Sequence, residues 1–396
     1  MLENRNMICL SASQWGGDYA KTIVEVMKVF ARKNKVLYID YPYTLKDLVF
    51  SLFRKTDMDF NRIVGIKNRI KREVINNEVS VYVFVPPPII PVNYLPSGFL
   101  YSLLLRFNGY ILSRSVKQAI RKLEMEGELI YFNAFLPSLG EVTMGKFDEK
   151  TMVYYCYDEI NSAKWLKKHG GVHEKHVMLE SDIVLTTSEG LYQKKKAQAK
   201  RCFLVKNAVN FELFRSGVSE RYSNPEKIIG YIGSIDERLD YDLLKYVISH
   251  LPEYKFEFVG RCTFPEGRRI LEEFSNVSLT GPKNSQELPG FISRYSAGII
   301  PFAINDFNFG IYPLKINEYL AGGLPVVMTN FALLNEFRDI AFISGNEREF
   351  VAHIRKSVSE DSLSLQAKRI EFARQNSWES RVDLISDIIA SVENEG

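Results

Sequence analysis

A short helix-forming segment that ends in two glycines and leads into an apolar run constrains this chain more than any other stretch. It covers residues 309–330, FGIYPLKINEYLAGGLPVVMTN. Pro313 suits the first helical position, where its missing N–H costs no hydrogen bond. Gly322 and Gly323 can take the left-handed conformation that ends a helix, and Pro325 starts an extended run. The segment therefore predicts a short helix, a glycine stop and a buried strand.

The predicted helix carries three residues on one face that suits a nucleotide. Lys315, Glu318 and Gly322 recur at i, i+3 and i+7, and residues at this spacing share a side of a helix. The helix N-terminus offers unpaired N–H groups that bind phosphate, and Lys315 adds a full positive charge. Glu318, one turn further, can accept hydrogen bonds from a sugar diol. The alternative is an ordinary amphipathic helix on which Lys315 and Glu318 are merely solvated.

The run from Pro313 to Val327 resembles the donor-site signature of the GT-B glycosyltransferases. The matching variant is P-L-K-x-x-E-Y-L-A-x-G-x-P-V-V, known in group 1 and teichuronic-acid-type enzymes of bacterial surface-polysaccharide pathways. The resemblance is dense from about residue 154 to the end and weak before it. It implies that Tyr312, Lys315 and Glu318 belong to a binding site for a UDP- or GDP-linked sugar.

Length and composition narrow the class of protein. The chain has 396 residues, enough for about two domains, and 46% of them are hydrophobic. A net charge of +3 is not typical of a dedicated nucleic-acid-binding protein. The N-terminus lacks a signal-peptide pattern, no run is long enough to span a membrane, and the four cysteines are predicted to be reduced thiols. These features predict a soluble or peripheral cytoplasmic protein without nucleic acid as a partner.

Short apolar runs alternate with helical stretches along both halves of the chain. Strands are predicted at 7–12, 36–39, 81–85, 129–132, 152–157, 183–187 and 203–205, and again at 228–235, 256–259, 277–279, 297–301 and 326–328. Such alternation indicates parallel sheets with helices on both faces. With the resemblance, it predicts an α/β protein of GT-B fold, in which two Rossmann-like domains face a central cleft. The predicted boundaries are 1–209 for the acceptor-side domain, 210–226 for a linker and 227–377 for the donor-binding domain, with a final helix at 378–393 that returns to the first domain.

Glycine loops follow the first predicted strand of each domain. Gly233 permits close backbone approach to a phosphate, and Arg238 can grip a pyrophosphate through a forked pair. Gly16 and Gly17 take the equivalent place in the first domain, where the family has a glycine loop that lines the cleft beside the transferred sugar. The alternative in both places is a plain strand-to-helix turn. The first loop is not G-x-G-x-x-G, which argues against a dinucleotide dehydrogenase.

A carboxylate at the end of a first-domain strand is the predicted catalytic base. Asp158 follows the strand at 152–157, and Asp18 is the second candidate. Sugar transfer needs a base for the acceptor hydroxyl or support for an oxocarbenium-like centre, although either aspartate can instead cap the following helix. Retaining group 1 enzymes typically carry a second glutamate eight positions before the one that matches Glu318, and here that position is Gly310. The resemblance, with this departure, favours an inverting transfer.

A basic and aromatic region at residues 50–75 interrupts the alternation, and the apolar run 99–105 follows it. Basic and aromatic side chains together can rest on an anionic membrane surface; the alternative is an ordinary solvated insertion. Asp57 and Asp59 match the letters of a D-x-D metal motif, but they follow no strand. They are therefore predicted to lie in a surface loop.

Together these patterns predict a metal-independent glycosyltransferase of the hexosyltransferase type that needs no cofactor. Lys315, the helix N-terminus and Arg238 would neutralise the leaving diphosphate. The expected acceptor is a saccharide or is lipid-linked, and it is met in the cytoplasm or at the inner face of the plasma membrane. Two alternatives remain open: a sugar-nucleotide epimerase on the same fold, and a non-catalytic nucleotide-sugar-binding subunit of a polysaccharide assembly.

Overall fold

Two β-sheets organise the chain in the computed structural model, which describes residues 1–17, 21–53, 58–75, 79–160, 166–218 and 226–395. The first sheet contains β1 (Asn6–Ser11), β2 (Lys35–Ile39), β3 (Ile70–Val74), β4 (Ser80–Phe84), β5 (Leu129–Ala134), β6 (Glu149–Cys156), β7 (Ile183–Thr186) and β8 (Cys202–Leu204). Its strand order is β3-β4-β2-β1-β5-β6-β7-β8. The edge strand β3 runs antiparallel to β4, and the other pairs are parallel.

The second sheet is parallel throughout its described strands. It contains β9 (Ile228–Ile232), β10 (Lys255–Val259), β11 (Val277–Gly281), β12 (Ala297–Ile300), β13 (Val326–Thr329) and β14 (Phe342–Ser344). Its order is β11-β10-β9-β12-β13-β14, so the first strand of this half lies near the centre. The predicted α/β class with two parallel-stranded sheets is confirmed.

Helices connect and cover these strands. They are α1 (Thr22–Phe30), α2 (Leu45–Phe53), α3 (Phe60–Ile63), α4 (Phe99–Lys122), α5 (Pro137–Thr143), α6 (Gly170–Glu180), α7 (Glu189–Lys195), α8 (Phe211–Arg215), α9 (Tyr241–His250), α10 (Pro265–Glu272), α11 (Leu288–Ile292), α12 (Asp306–Phe309), α13 (Leu314–Ala321), α14 (Glu347–Ser359), α15 (Leu363–Gln375) and α16 (Trp378–Glu395). Within the segment predicted as a linker, α8 begins after Asn210, whose side chain accepts a hydrogen bond from the Leu213 N–H. Residues 219–225 of that segment lie outside the described part.

Both faces of the first sheet are buried, which explains its continuous apolar strands. Met7 and Cys9 of β1 pack into a core with α1, whereas Ile8 and Leu10 pack into a core with α4 on the opposite face. Successive strand residues point to opposite faces, so a strand covered on both sides must be apolar at every position. Parallel sheets show this pattern because their crossover helices lie on both faces.

The final helix, α16, belongs to the core of the first sheet although it follows the second sheet in sequence. Its residues Trp378, Val382 and Ile385 are buried in the cluster that contains α1. Where the chain returns, the Val209 N–H donates to the Asn376 carbonyl at 3.0 Å and the Trp378 N–H donates to the Val209 carbonyl at 3.2 Å. The two connections between the sheets therefore run side by side.

Every predicted strand is present to within three residues at either end, but two observed strands were not predicted. β3 has the sequence IKREV and lies at a sheet edge with most of its residues exposed. Charged residues commonly protect such edges from pairing with other chains, so β3 lacks the apolar signal on which the prediction relied. β14 has only three residues. The predicted insertion at 50–75 thus contains an edge strand.

Candidate functional site

A cavity of about 530 Å³ opens between the carboxyl ends of the two sheets. Its walls come from the segments that follow β6, β9, β10 and β12, and from the start of α13. Ligands of open parallel sheets bind in this position. Six of the predicted site residues line the cavity, namely Asp158, Gly233, Arg238, Tyr312, Lys315 and Glu318.

α13 brings two oppositely charged side chains to the cavity. Pro313 immediately precedes the helix, in an extended conformation, rather than occupying its first turn. At the other end only Gly323 is left-handed, with φ +72°, whereas Gly322 remains close to helical at φ −71°. Lys315 and Glu318 are only 8% and 9% exposed, so the alternative of two solvated side chains is wrong.

The ammonium group of Lys315 is held between two aromatic rings. Its Nζ lies 4.6 Å from the ring centroids of both Tyr231 and Phe302 and donates to the Tyr231 hydroxyl at 3.3 Å. Burial lowers the pKa of Lys315 to about 7, and the positive charge of Arg238 acts in the same direction, against the attraction of Glu318. A buried cation that is costly to hold in its charged form is well suited to an anionic ligand.

The glycine loop after β9 makes room for this lysine. Gly233 has φ +136°, and a Cβ built on it would lie only 2.9 Å from Lys315 Nζ. Gly260, after β10, packs against the same loop, and a Cβ there would lie 1.9 Å from the Gly233 carbonyl oxygen. Two glycines are therefore required for the lysine to reach the cavity. Gly260 was not predicted to belong to the site, although it directly follows a predicted strand.

Arg238 is fixed in the cavity wall by Asp236, a residue that was not predicted. The Arg238 Nε and Nη2 donate to the two carboxylate oxygens of Asp236 at 2.9 and 2.6 Å. Burial disfavours the charged guanidinium, but the hydrogen bonds and charge of Asp236 outweigh it and raise the pKa of Arg238. Its backbone carbonyl accepts from Asn308 Nδ2 at 3.0 Å. Arg238 therefore presents its guanidinium in a fixed orientation, with its charge partly balanced by Asp236.

Glu318 lies one turn along α13 from Lys315 and faces the same cavity. Burial raises the pKa of Glu318 to about 7, although the charge of Lys315 opposes the shift. Burial therefore favours the protonated form of this carboxyl more than in a solvated glutamate, and a protonated carboxyl can both donate and accept hydrogen bonds. Asn207 contacts the same segment from the first half of the chain, since its Nδ2 donates to the Tyr312 carbonyl at 2.9 Å.

Asp158 faces the cavity from the first sheet. It follows β6, and its Oδ1 accepts from the Glu159 N–H at 2.8 Å. Burial raises the pKa of Asp158, whereas this hydrogen bond and the charge of Arg238 oppose the rise. A carboxyl whose pKa is raised by burial is a better proton acceptor when ionised than a solvated one.

A buried charge network lies behind Asp158. Lys195 Nζ donates to Glu174 Oε2 at 2.7 Å and to Glu159 Oε1 at 3.3 Å. The Tyr154 hydroxyl donates to Glu174 Oε1 at 3.0 Å. Because Lys195 and Glu174 are 5% and 2% exposed, these groups tie the backbone after β6 to α6 and α7. The network fixes the segment that carries Asp158.

The other predicted residues are not among those that line the cavity in the described part of the chain. Gly16 and Gly17 are not among the described residues that line the cavity, and Asp18 lies outside the described residues. Gly310 stands where retaining group 1 enzymes typically carry a glutamate, and its carbonyl accepts a hydrogen bond from Ser188 Oγ at 2.6 Å. Asp57 lies outside the described residues, and Asp59 instead caps α3. No group of three or more potential metal-ligating side chains occurs in the described part of the chain.

Comparisons with known proteins agree with this architecture. No protein-family model matches the chain. TuaH of Bacillus subtilis (strain 168), a proposed teichuronic acid biosynthesis glycosyltransferase, is 26% identical over 229 residues, which are 52% of this chain and 56% of that protein. The match thus spans little more than half of the length of this curated relative.

Solved structures match nearly the whole chain. Sucrose-phosphate synthase from Thermosynechococcus elongatus has a TM-score of 0.67 at 13% identity, with 99% of this chain and 100% of that chain covered. HepE from Anabaena, solved with UDP and glucose, has a TM-score of 0.66 at 14% identity, with 98% and 100% covered. A trehalose-6-phosphate synthase from Burkholderia multivorans has a TM-score of 0.67 at 10% identity, with 99% of each chain covered. The chain therefore has the GT-B fold.

Proposed function

We propose that this protein is a glycosyltransferase that moves a sugar from a nucleoside-diphosphate-sugar donor to a saccharide or lipid-linked acceptor in bacterial surface-polysaccharide synthesis. The observation that carries the proposal is the cavity wall formed by Lys315 and Glu318 of α13 and by Arg238 of the loop after β9, opposite Asp158. The similarity to TuaH and the UDP complex of HepE support it.

The donor is assigned to the second half of the chain. The diphosphate binds beside Lys315 and Arg238 and the N-terminal N–H groups of α13, while the ribose diol bonds to Glu318. Two cations and a helix N-terminus stabilise the charge that develops on the leaving diphosphate. The proposed reaction therefore uses no metal and no cofactor.

Asp158 is assigned as the general base of an inverting transfer. It takes the proton of the acceptor hydroxyl as that oxygen attacks the anomeric carbon, and the diphosphate leaves on the opposite side. Its position on the first half, across the cavity from Lys315, supports this role. A positioned base of this kind typically contributes about 10²–10⁴-fold in rate.

Donor binding tests the assignment directly. Lys315→Met should weaken the binding of UDP or GDP far more than that of the free nucleoside, measured by calorimetry, because only the diphosphate needs the cation. Lys245→Met, at an exposed position on α9, is the matched control. Glu318→Ala should reduce the discrimination between ribose and deoxyribose. If Lys315→Met bound UDP and GDP as tightly as the wild type does, the donor assignment would be wrong.

Product analysis tests the chemistry. Asp158→Asn keeps the size and hydrogen bonding of the side chain but removes its basicity. The turnover rate should therefore fall by about 10²–10⁴-fold, while the affinity for the donor is retained. NMR of the product then reports the anomeric configuration, and retention would refute inversion. Conversion of the donor sugar itself would instead identify an epimerase. Donor binding with neither transfer nor hydrolysis in the presence of acceptors would identify a non-catalytic subunit.

We place the reaction in the cytoplasm, at the inner face of the plasma membrane. No helix in the described part of the chain is long and apolar enough to cross a membrane. The membrane contact was predicted from the basic and aromatic residues 50–72 and the apolar run 99–105. In the first of these, Arg62 pairs with Asp59 and Lys71 with Glu73, and residues 54–57 lie outside the described part. The second forms the start of α4.

A further inference from the structure

The outer face of α4 is cationic along one half and apolar along the other. The helix has 24 residues, including five lysines and arginines and not one acidic residue, and at about 1.5 Å per residue it is about 36 Å long. Its inner face is fixed in the core of the first sheet through Leu105, Leu112 and Val116. The outer face is therefore a permanent part of the protein surface.

The apolar half exposes large side chains in a row. Phe99 is 84% exposed, Tyr110 60%, Leu103 50% and Phe107 48%. Their spacing of four, four and three residues keeps them on one side of the helix. Single exposed apolar residues are common, but a contiguous row on one helix face marks an interaction surface.

The cationic half follows on the same helix, and Arg106 of the apolar half extends it. Arg106, Arg114 and Lys117 are exposed and form no ion pair with any other described residue. Together with Arg121 and Lys146 they line a shallow groove of about 840 Å³. Glu141 also lines this groove, but it is engaged by His173 at 2.5 Å and His176 at 3.3 Å. The groove therefore carries a net positive charge, because five cations face a single carboxylate in its described lining.

We propose that this face of α4 docks the protein on an anionic lipid bilayer. The aromatic and leucine side chains enter the headgroup–acyl boundary, and the cations further along contact lipid phosphates. A nucleic acid would use the cations but leave the apolar row in water. A second copy of the chain would set the cations of one helix against those of the other or against its apolar half. An anionic bilayer satisfies both halves at once.

The inference does not depend on the donor chemistry. Vesicle binding is measured without any sugar nucleotide, and donor affinity is measured without vesicles. A failure of either measurement therefore leaves the other result standing.

Binding to vesicles of phosphatidylglycerol and phosphatidylcholine, measured by flotation, tests the proposal. Binding should rise with the anionic fraction and fall with salt. The variant Arg114→Gln/Lys117→Gln/Arg121→Gln should bind about 100-fold more weakly, since each cation near an anionic surface contributes about fivefold. The control Arg269→Gln/Arg348→Gln/Lys368→Gln removes the same charge from exposed positions of the other half and should bind like wild type.

A second variant separates lipid insertion from simple charge attraction. Phe99→Ser/Leu103→Ser/Phe107→Ser alters only exposed side chains and should weaken vesicle binding while leaving UDP affinity unchanged. The proposal is overturned if neither the cation variant nor the apolar variant weakens vesicle binding. It is also overturned if the control Arg269→Gln/Arg348→Gln/Lys368→Gln weakens binding as much as the cation variant does. A further result would also overturn it. In that result the wild type does not bind vesicles but self-associates, and the Phe99→Ser/Leu103→Ser/Phe107→Ser variant no longer self-associates.

Discussion

Replacing Lys315 with methionine should make the free protein more stable while it removes diphosphate binding. The Lys315 pKa falls from 10.5 to about 7 on folding, chiefly through burial. At about 1.4 kcal/mol for each pH unit, this corresponds to a cost of about 5 kcal/mol for the charged form. Methionine keeps an apolar stem of similar volume between Tyr231 and Phe302 without the charge.

Part of this gain in the free energy of unfolding is lost, because methionine cannot make the cation–π contacts of Lys315. The Lys315 ammonium lies 4.6 Å from two ring centroids, and each cation–π contact is worth about 1 kcal/mol. The net increase in the free energy of unfolding should therefore be about 3 kcal/mol near pH 6.5. Binding sites commonly hold such unfavourable groups, because they are selected for the bound state.

The pH dependence of this stability difference identifies the buried charge of Lys315 as its cause. Because the folded-state pKa is depressed, the unfolded chain binds the proton more tightly, and wild-type stability falls as the pH drops from 10.5 to about 7 and is constant below that. The advantage of Lys315→Met is therefore full below pH 7, about 1 kcal/mol near pH 9.5 and absent above pH 10.5.

Urea denaturation of wild type, Lys315→Met and the surface control Lys245→Met at pH 6.5 and 9.5 measures these differences. The control should match wild type at both pH values. A Lys315→Met protein that is less stable than wild type at pH 6.5, or whose advantage does not shrink at pH 9.5, would refute the reasoning.

Three further changes test neighbouring features. Glu318→Gln should raise the free energy of unfolding above pH 7 by at most about 3 kcal/mol and leave it unchanged below pH 4.5, because burial raises the carboxyl pKa to about 7; urea titrations at pH 4 and 8 measure this. Gly233→Ala should lower stability by about 1–3 kcal/mol, because alanine is strained at φ +136°, and calorimetry should show weaker UDP binding because its Cβ displaces Lys315. Lys195→Met should lower stability by about 3–5 kcal/mol, since it leaves the carboxylate of Glu174 buried without its cation; thermal unfolding at constant pH reports the loss, and a change below 1 kcal/mol would contradict it.

Local sequence patterns were sufficient for the framework of this fold. The apolar strands, the helix–glycine–strand unit and the parallel arrangement follow from periodicity and from glycine and proline positions, which act over a few residues. β3 escaped prediction because Lys71, Arg72 and Glu73 give an edge strand the composition of a loop. β14 is too short to show any period.

The sequence predicted six of the residues that line the cavity but not their environment. The i, i+3 spacing placed Lys315 and Glu318 on one face, yet nothing local indicates that Tyr231 and Phe302 enclose the lysine. The pairing of Asp236 with Arg238 depends on a loop conformation, and the role of Gly260 depends on its contact with another loop. These contacts join distant parts of the chain, so a pattern in a short window cannot contain them.

The paired connections at Val209 and residues 376–378 have a mechanical consequence. Motions between two halves are commonly absorbed by a few connecting residues, so these adjacent crossings are where a hinge between the halves would lie. Asp158 and Lys315 belong to opposite halves, and rotation about the crossings would change the distance between the proposed base and the proposed diphosphate site. The ion pairs Arg5–Glu393 and Arg32–Glu379 fix α16 to the first half. In such a rotation, the last helix of the chain would therefore stay with the first half.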